Sequence, residues 1–91
     1  MGLSKPFHLG HIVFTQSALI SIDNADAWEA LVRHTRGDWG NISKRDAIAN
    51  DDAISYGGRV LSKYCDRRGA TFWISTDAER TATTVLLPDE Y

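Results

Sequence analysis

Hydrophobic and polar positions change period twice along the chain. "HIVFT" (residues 11–15) is β-branched and aromatic after Gly10 and predicts a short strand. "QSALISI" fits either a helical turn or a continued extended segment. In "DNADAWEALVRHTRG" the apolar residues Trp28, Leu31 and Val32, with Thr35, recur at helical spacing. Asp23 or Asn24 can cap this helix, Gly37 closes it, and Glu29 and Arg33 form an i,i+4 pair on its outer side. "GDWGNI" sets glycines around an acid and an indole and breaks regular structure, placing Trp39 at the tip of a turn. Ser43 then caps a second helix, "KRDAIANDDAISY", with Asp46 at its third position and a stop at Gly57-Gly58.

Beyond Gly58 the period is two. "RVLSKYC" sets Val60, Ser62 and Tyr64 against Leu61, Lys63 and Cys65, and "ATFWIST" sets Phe72 and Ile74 against Thr71, Trp73 and Ser75. "DRRG" joins them as a hairpin loop with Gly69 able to take positive φ. "TATTVLL" is a third strand, joined by "DAER" and stopped by Pro88. The reading is a single α+β domain over residues 1–91. It has an antiparallel sheet of about four strands, made of a short N-terminal strand and a C-terminal three-stranded meander, with two helices inserted between them. At 91 residues a second core is not available. Trp28, Trp39, Trp73, Phe14 and Phe72 are the core candidates.

Charge changes this picture little. Ten Lys and Arg against twelve Asp and Glu leave a net charge of −2, neither the footprint of a nucleic-acid binder nor that of a DNA mimic. The single cysteine, Cys65, forms no internal disulfide and reads as a half-buried strand residue in a reducing compartment. No segment has the ~20 apolar residues of a membrane span, and "MGLSKPFHLGHIVFTQ" lacks a signal h-region, so a cytoplasmic protein without membrane contact is expected.

Candidate chemistry is sparse. His8 and His11 stand three apart across a glycine with no third ligand nearby and read as solvated histidines rather than a metal site. His34, Asp38, Asp77 and Glu79 could form an acid–base group if folding joins them. The simpler reading has His34 as a cation at a helix C-terminus and Asp38 capping the next turn. Arg59, Lys63, Arg67 and Arg68 gather on one hairpin beside Tyr64 and could track a phosphate backbone or meet an acidic protein surface. "TDAERT" reads as a corner in which Thr76 caps a helical turn and Glu79 reaches back, leaving Arg80 to pair with Asp77 or Asp38. No metal and no cofactor are expected, and phosphate loops, dinucleotide fingerprints and nucleophile elbows are absent from the sequence.

From residue 33 onward the motifs follow one another in a specific order. They are Arg33-His34, "GDWG" at 37–40, Asn50, Gly58-Arg59, Ser62, Tyr64, Trp73-Ile74 with Thr76, Glu79-Arg80-Thr81, Thr83-Thr84, and Leu86-Leu87-Pro88 with Glu90-Tyr91. This pattern resembles a family of small proteins of bacterial plasmids, integrative elements and prophages, called plasmid-related proteins. The chain departs from it with Ser75 in place of isoleucine and with Asp77 and Glu79 exchanging the usual order of acids. The resemblance implies a mobile genetic element as the setting. It also implies a compact, non-enzymatic binding protein, such as an anti-CRISPR or other anti-defence inhibitor, whose partner is a host protein or ribonucleoprotein defence complex. The alternatives are a nucleic-acid-binding regulator using the basic hairpin and a small enzyme using His34, Asp38 and the acidic turn. The contact candidates are Trp39, Asp38, Arg59, Lys63, Arg67, Arg68, Arg80 and Tyr91, because exposed aromatics and arginines dominate binding hot spots.

Overall fold

The computed structural model describes residues 6–91. The elements are β1 (His11–Phe14), α1 (Gln16–Ser21), α2 (Asn24–Thr35), α3 (Lys44–Tyr56), β2 (Val60–Cys65), β3 (Thr71–Thr76), β4 (Ala82–Leu86) and a 3₁₀ turn (Pro88–Glu90). The segment that fits both helix and strand is thus the helix α1, capped by Thr15, whose hydroxyl accepts from the Ala18 amide. The four-stranded α+β reading holds, with sheet order β1-β4-β3-β2. The meander is antiparallel, but β1 joins β4 in parallel, so the sheet is mixed. Alternation along a strand has the same period in either pairing. The orientation is fixed instead by the route: after β1 the chain crosses the helices, enters the sheet at its far edge and returns to lay β4 along β1.

Helices cover the sheet face formed by Val60, Ser62, Tyr64, Phe72, Ile74, Thr76, Thr83 and Val85, all of them buried. On α2 the buried positions are Ala27, Ala30, Leu31 and His34. That is the expected spacing moved one residue toward the N-terminus. Trp28 and Val32, expected in the core, are 51% and 53% exposed. Two alanines let α2 approach a sheet face already filled by Tyr64 and Phe72, and His34 can be buried because the strands supply polar partners. Trp28 leans on Phe14 with ring centroids 5.6 Å apart. Phe72 and Trp39 are buried, while Phe14 and Trp73 are half-buried. Each fully buried large apolar side chain contributes about 1.5–3 kcal/mol.

The edge of β2 is closed by polar devices. Ser43 caps α3 by accepting from the Asp46 amide at 3.0 Å, as the sequence predicts. From α3, the Asn50 side chain accepts from the Leu61 amide at 3.2 Å and donates to its carbonyl at 2.8 Å. The "GDWG" turn adds a short bridge beside it, with Lys63 N–H donating to Trp39 and Asn41 N–H to Lys63. Gly40 has φ +74° there, and a Cβ at this position would stand 2.1 Å from the Lys63 carbonyl oxygen. No side chain fits at that approach. Trp39 therefore does not stand at an exposed tip: it is 5% exposed and packs with Ala53 and Val60, its indole N–H donating to Asp51 at 3.0 Å.

Candidate functional site

His34 is fully buried. Its Nδ1 lies 2.5 Å from Ser62 Oγ and its Nε2 lies 2.8 Å from Thr76 Oγ1. Thr76 Oγ1 is 2.7 Å from Thr83 Oγ1, which donates to the Leu9 carbonyl at 2.7 Å. The directions follow from the last bond. Thr83 spends its proton on Leu9, so Thr76 donates to Thr83, His34 Nε2–H donates to Thr76, and Nδ1 accepts from Ser62. The chain is complete only with a neutral imidazole. Burial, with the nearby Arg80 charge second, drives its pKa down to about 3. The edges of Phe7 and Trp39 enclose the ring at 5.3 and 5.6 Å. His34 is thus a neutral core group and not the cation expected at the helix C-terminus.

The structure does not join His34 to the acids. Asp38 receives Arg33 Nε at 2.8 Å, displacing the expected Glu29–Arg33 pair, and accepts from the Gly40 amide. The bond to Arg33 holds the Asp38 carboxyl below the usual carboxylate range. Asp77 accepts from the Thr81 hydroxyl and from the Thr81 amide at 2.7 Å. It is therefore Asp77, not Thr76, that caps the corner, and Glu79 is exposed without closing a box. Arg80 sits at φ +60° and, among the described residues, pairs with no carboxylate. Its guanidinium donates to the carbonyls of Gly58 at 2.6 Å, Asp77 at 2.8 Å and Ala53 at 3.0 Å, and it covers the Phe7 ring at 5.6 Å.

The basic hairpin divides in two. Arg67 makes paired bonds to Asp26 at 2.9 and 3.0 Å, and its amide donates to the same carboxylate at 2.7 Å. These bonds raise the Arg67 pKa and lower that of Asp26. Arg68 reaches the Ser21 carbonyl at 3.2 Å and Asp66 at 3.6 Å. Asp66 accepts from the amides of Asp23, Arg68 and Ala70, which lower its pKa. Arg67 therefore fastens the hairpin to the start of α2, and Arg68 fastens it to the end of α1. The cleft of about 190 Å³ alongside is lined by the same paired charges. Cys65 at its rim is exposed rather than half-buried.

The other two cations gather on the sheet face opposite α2. Lys63 Nζ lies 4.7 Å from the centre of the Trp73 ring. Trp73 meets Tyr91 edge to face at 4.9 Å. Arg59 donates to the Tyr91 hydroxyl at 2.8 Å, its guanidinium 5.8 Å from the ring centre. The 3₁₀ turn delivers Tyr91: Glu90 accepts from the Leu87 amide and from the Thr15 hydroxyl, both at 2.8 Å, which holds the terminus down. Tyr91 remains 55% exposed. Of the eight contact candidates the fold brings together Arg59, Lys63 and Tyr91. Asp38, Arg67, Arg68 and Arg80 are engaged in internal bonds, and Trp39 is buried. Trp73 is the member that pattern reading assigned to the core. Its position opposite Phe72 and Ile74 in "TFWIST" is the signal that marks it.

Among the described residues no group of three or more His, Cys, Asp or Glu side chains could hold a metal ion. Among them, too, no helix is long and apolar enough to cross a membrane. Comparisons of the chain with protein-family models, with curated proteins and with solved structures found no match.

Proposed function

We propose that this chain is an accessory protein of a mobile genetic element that acts by non-enzymatic protein binding, as an anti-CRISPR or other anti-defence inhibitor occupying a surface of a host protein or ribonucleoprotein complex in the cytoplasm. The observation that carries the reading is the cluster of Arg59, Lys63, Trp73 and Tyr91 on one face. Tryptophan, tyrosine and arginine are the residue types that anchor protein interfaces. Two cations laid along two rings fit an acidic partner surface, since the rings supply contact area and the charges supply steering. The test is capture from a host lysate with wild-type chain, Tyr91→Ala and Lys63→Glu, each checked for native circular dichroism. A partner retained by wild type and lost by both folded variants is the expected result; equal retention by all three would refute this face as the contact surface.

One observation favours a second reading. A sheet face that interleaves cations with stackable rings also suits single-stranded nucleic acid. Gel shifts at low and moderate salt separate the two, because phosphate-driven binding weakens steeply with salt. The absence of a shift at low salt removes the nucleic-acid reading.

A further inference from the structure

The two edges of the sheet are treated differently. The β2 edge is sealed by Asn50 and by the Trp39–Asn41 segment. At the other edge, β1 bonds to β4 through residues 11, 13 and 15, with His11 N–H donating to Thr81 at 2.9 Å and Thr15 N–H to Val85 at 3.0 Å. The amides and carbonyls of Ile12 and Phe14 therefore point out of the sheet, and among the described residues none of them has a hydrogen-bond partner. "HIVFT" contains no Lys, Arg, Asp or Glu, no proline and no bulge, the features that ordinarily protect an exposed edge. Apolar side chains flank it. Ile12 and Val13 are 39% and 44% exposed, and Trp28 and Val32 stand on the adjoining side of α2, tied to β1 through the Phe14–Trp28 contact.

We propose that this edge pairs with β1 of a second copy of the chain, antiparallel and about a twofold axis through Val13. The outward groups lie symmetrically about that residue. Ile12 of each copy meets Phe14 of the other in a hydrogen-bonded pair, and the two Val13 side chains meet in a non-hydrogen-bonded pair. On the helix side, the Ile12–Phe14 contacts bring Trp28 and Val32 of both copies under cover, adding apolar area that a four-residue strand lacks. Closure selects a second copy over an unrelated strand. The eight-stranded sheet would run from β2 to β2, each sealed at Leu61 and Lys63, whereas a foreign strand would expose a full edge of its own.

The test measures the mass of the full chain by sedimentation across a wide dilution series. A concentration-dependent dimer is expected, and Val13→Lys, which sets two ammonium groups on the axis, should weaken it by at least about tenfold. In a Cys65→Ser background, Val13→Cys should oxidise to a disulfide-linked dimer, because non-hydrogen-bonded pairs hold Cα atoms within disulfide reach. Thr84→Cys, on the adjacent strand, should remain a free thiol. If Val13→Lys does not fold, the cysteine pair decides. A wild-type monomer at every concentration, or a dimer in which Val13→Cys and Thr84→Cys cross-link equally, overturns the proposal.

Discussion

Arg80 Nη2 lies 3.0 Å from the carbonyl oxygen of Ala53, so the β3–β4 corner is fastened to the last turn of α3. The same guanidinium holds Gly58 and Asp77. It places a cation where the helix dipole favours one and satisfies carbonyls at the helix end. Arg80→Ala is expected to cost about 2 kcal/mol, seen as a lower urea midpoint with unchanged slope. Arg80→Lys should recover little of that loss, since an ammonium cannot reproduce the planar fork. A lysine variant as stable as wild type would count against this account.

His34 gives a pH signature. It is neutral in the folded state, with its pKa lowered to about 3, whereas the unfolded chain takes up the proton near the ordinary value of 6.5. Its contribution to stability is therefore complete above about pH 6.5 and is lost as pH falls toward the folded value, amounting to about 2 kcal/mol by pH 5. The carboxylates with lowered pKa, among them Asp66 and Asp77, act in a separate window below about pH 4. Urea melts at pH 7, 6 and 5 should show the early loss in wild type and a nearly flat response in His34→Gln.

Trp39 and Tyr91 should part company. Trp39→Ala opens a cavity between α3 and β2 and is expected to cost about 3–5 kcal/mol. Tyr91→Ala removes a half-exposed ring and should leave the thermal midpoint within a few degrees while abolishing partner capture. Differential scanning calorimetry beside the capture assay distinguishes the two, and a fold lost on Tyr91→Ala would make the terminus structural.

Asn50 is 6% exposed and spends both ends of its amide on Leu61. Asn50→Ala leaves the Leu61 amide and carbonyl unpaired and should cost about 1–3 kcal/mol. Asn50→Asp, which loses the donor, should be comparably destabilised at neutral pH. Chemical denaturation checks both, and amide exchange at Leu61 separates them: protection should fall in Asn50→Ala, whereas the carboxylate of Asn50→Asp still accepts from the Leu61 amide.

Local chemistry made much of this fold legible. Ser43 with Asp46, the Gly57 stop and the alternation in "VLSKYC" and "TFWIST" each write their structure within a few residues, because caps, turns and pleats are short-range effects. The stripe on α2 was legible in spacing but not in phase. Ranking by hydrophobicity favours Trp28 and Val32, while the sheet accepts Ala27, Ala30 and His34 because they fit its shape and its hydroxyls.

The candidate site was less legible. Arg59, Lys63, Arg67 and Arg68 look alike as sequence, yet Asp26 and Asp66 claim one pair and Trp73 and Tyr91 the other. Those partners lie tens of residues away, and only the folded chain brings them within bonding distance. "TDAERT" shows the same division. Its role as a corner is set locally by Asp77 and Thr81, but the reason for Arg80 lies in α3. The sequence by itself determined the four strands, the helices α2 and α3, their order and the α+β class, since these follow from periodicity and capping, while the α1 segment fits helix and strand alike. Tertiary structure alone decided the parallel join of β1 to β4, the burial of His34 and Trp39, and which cations remain on the outer face, because each depends on contacts between segments far apart in the chain.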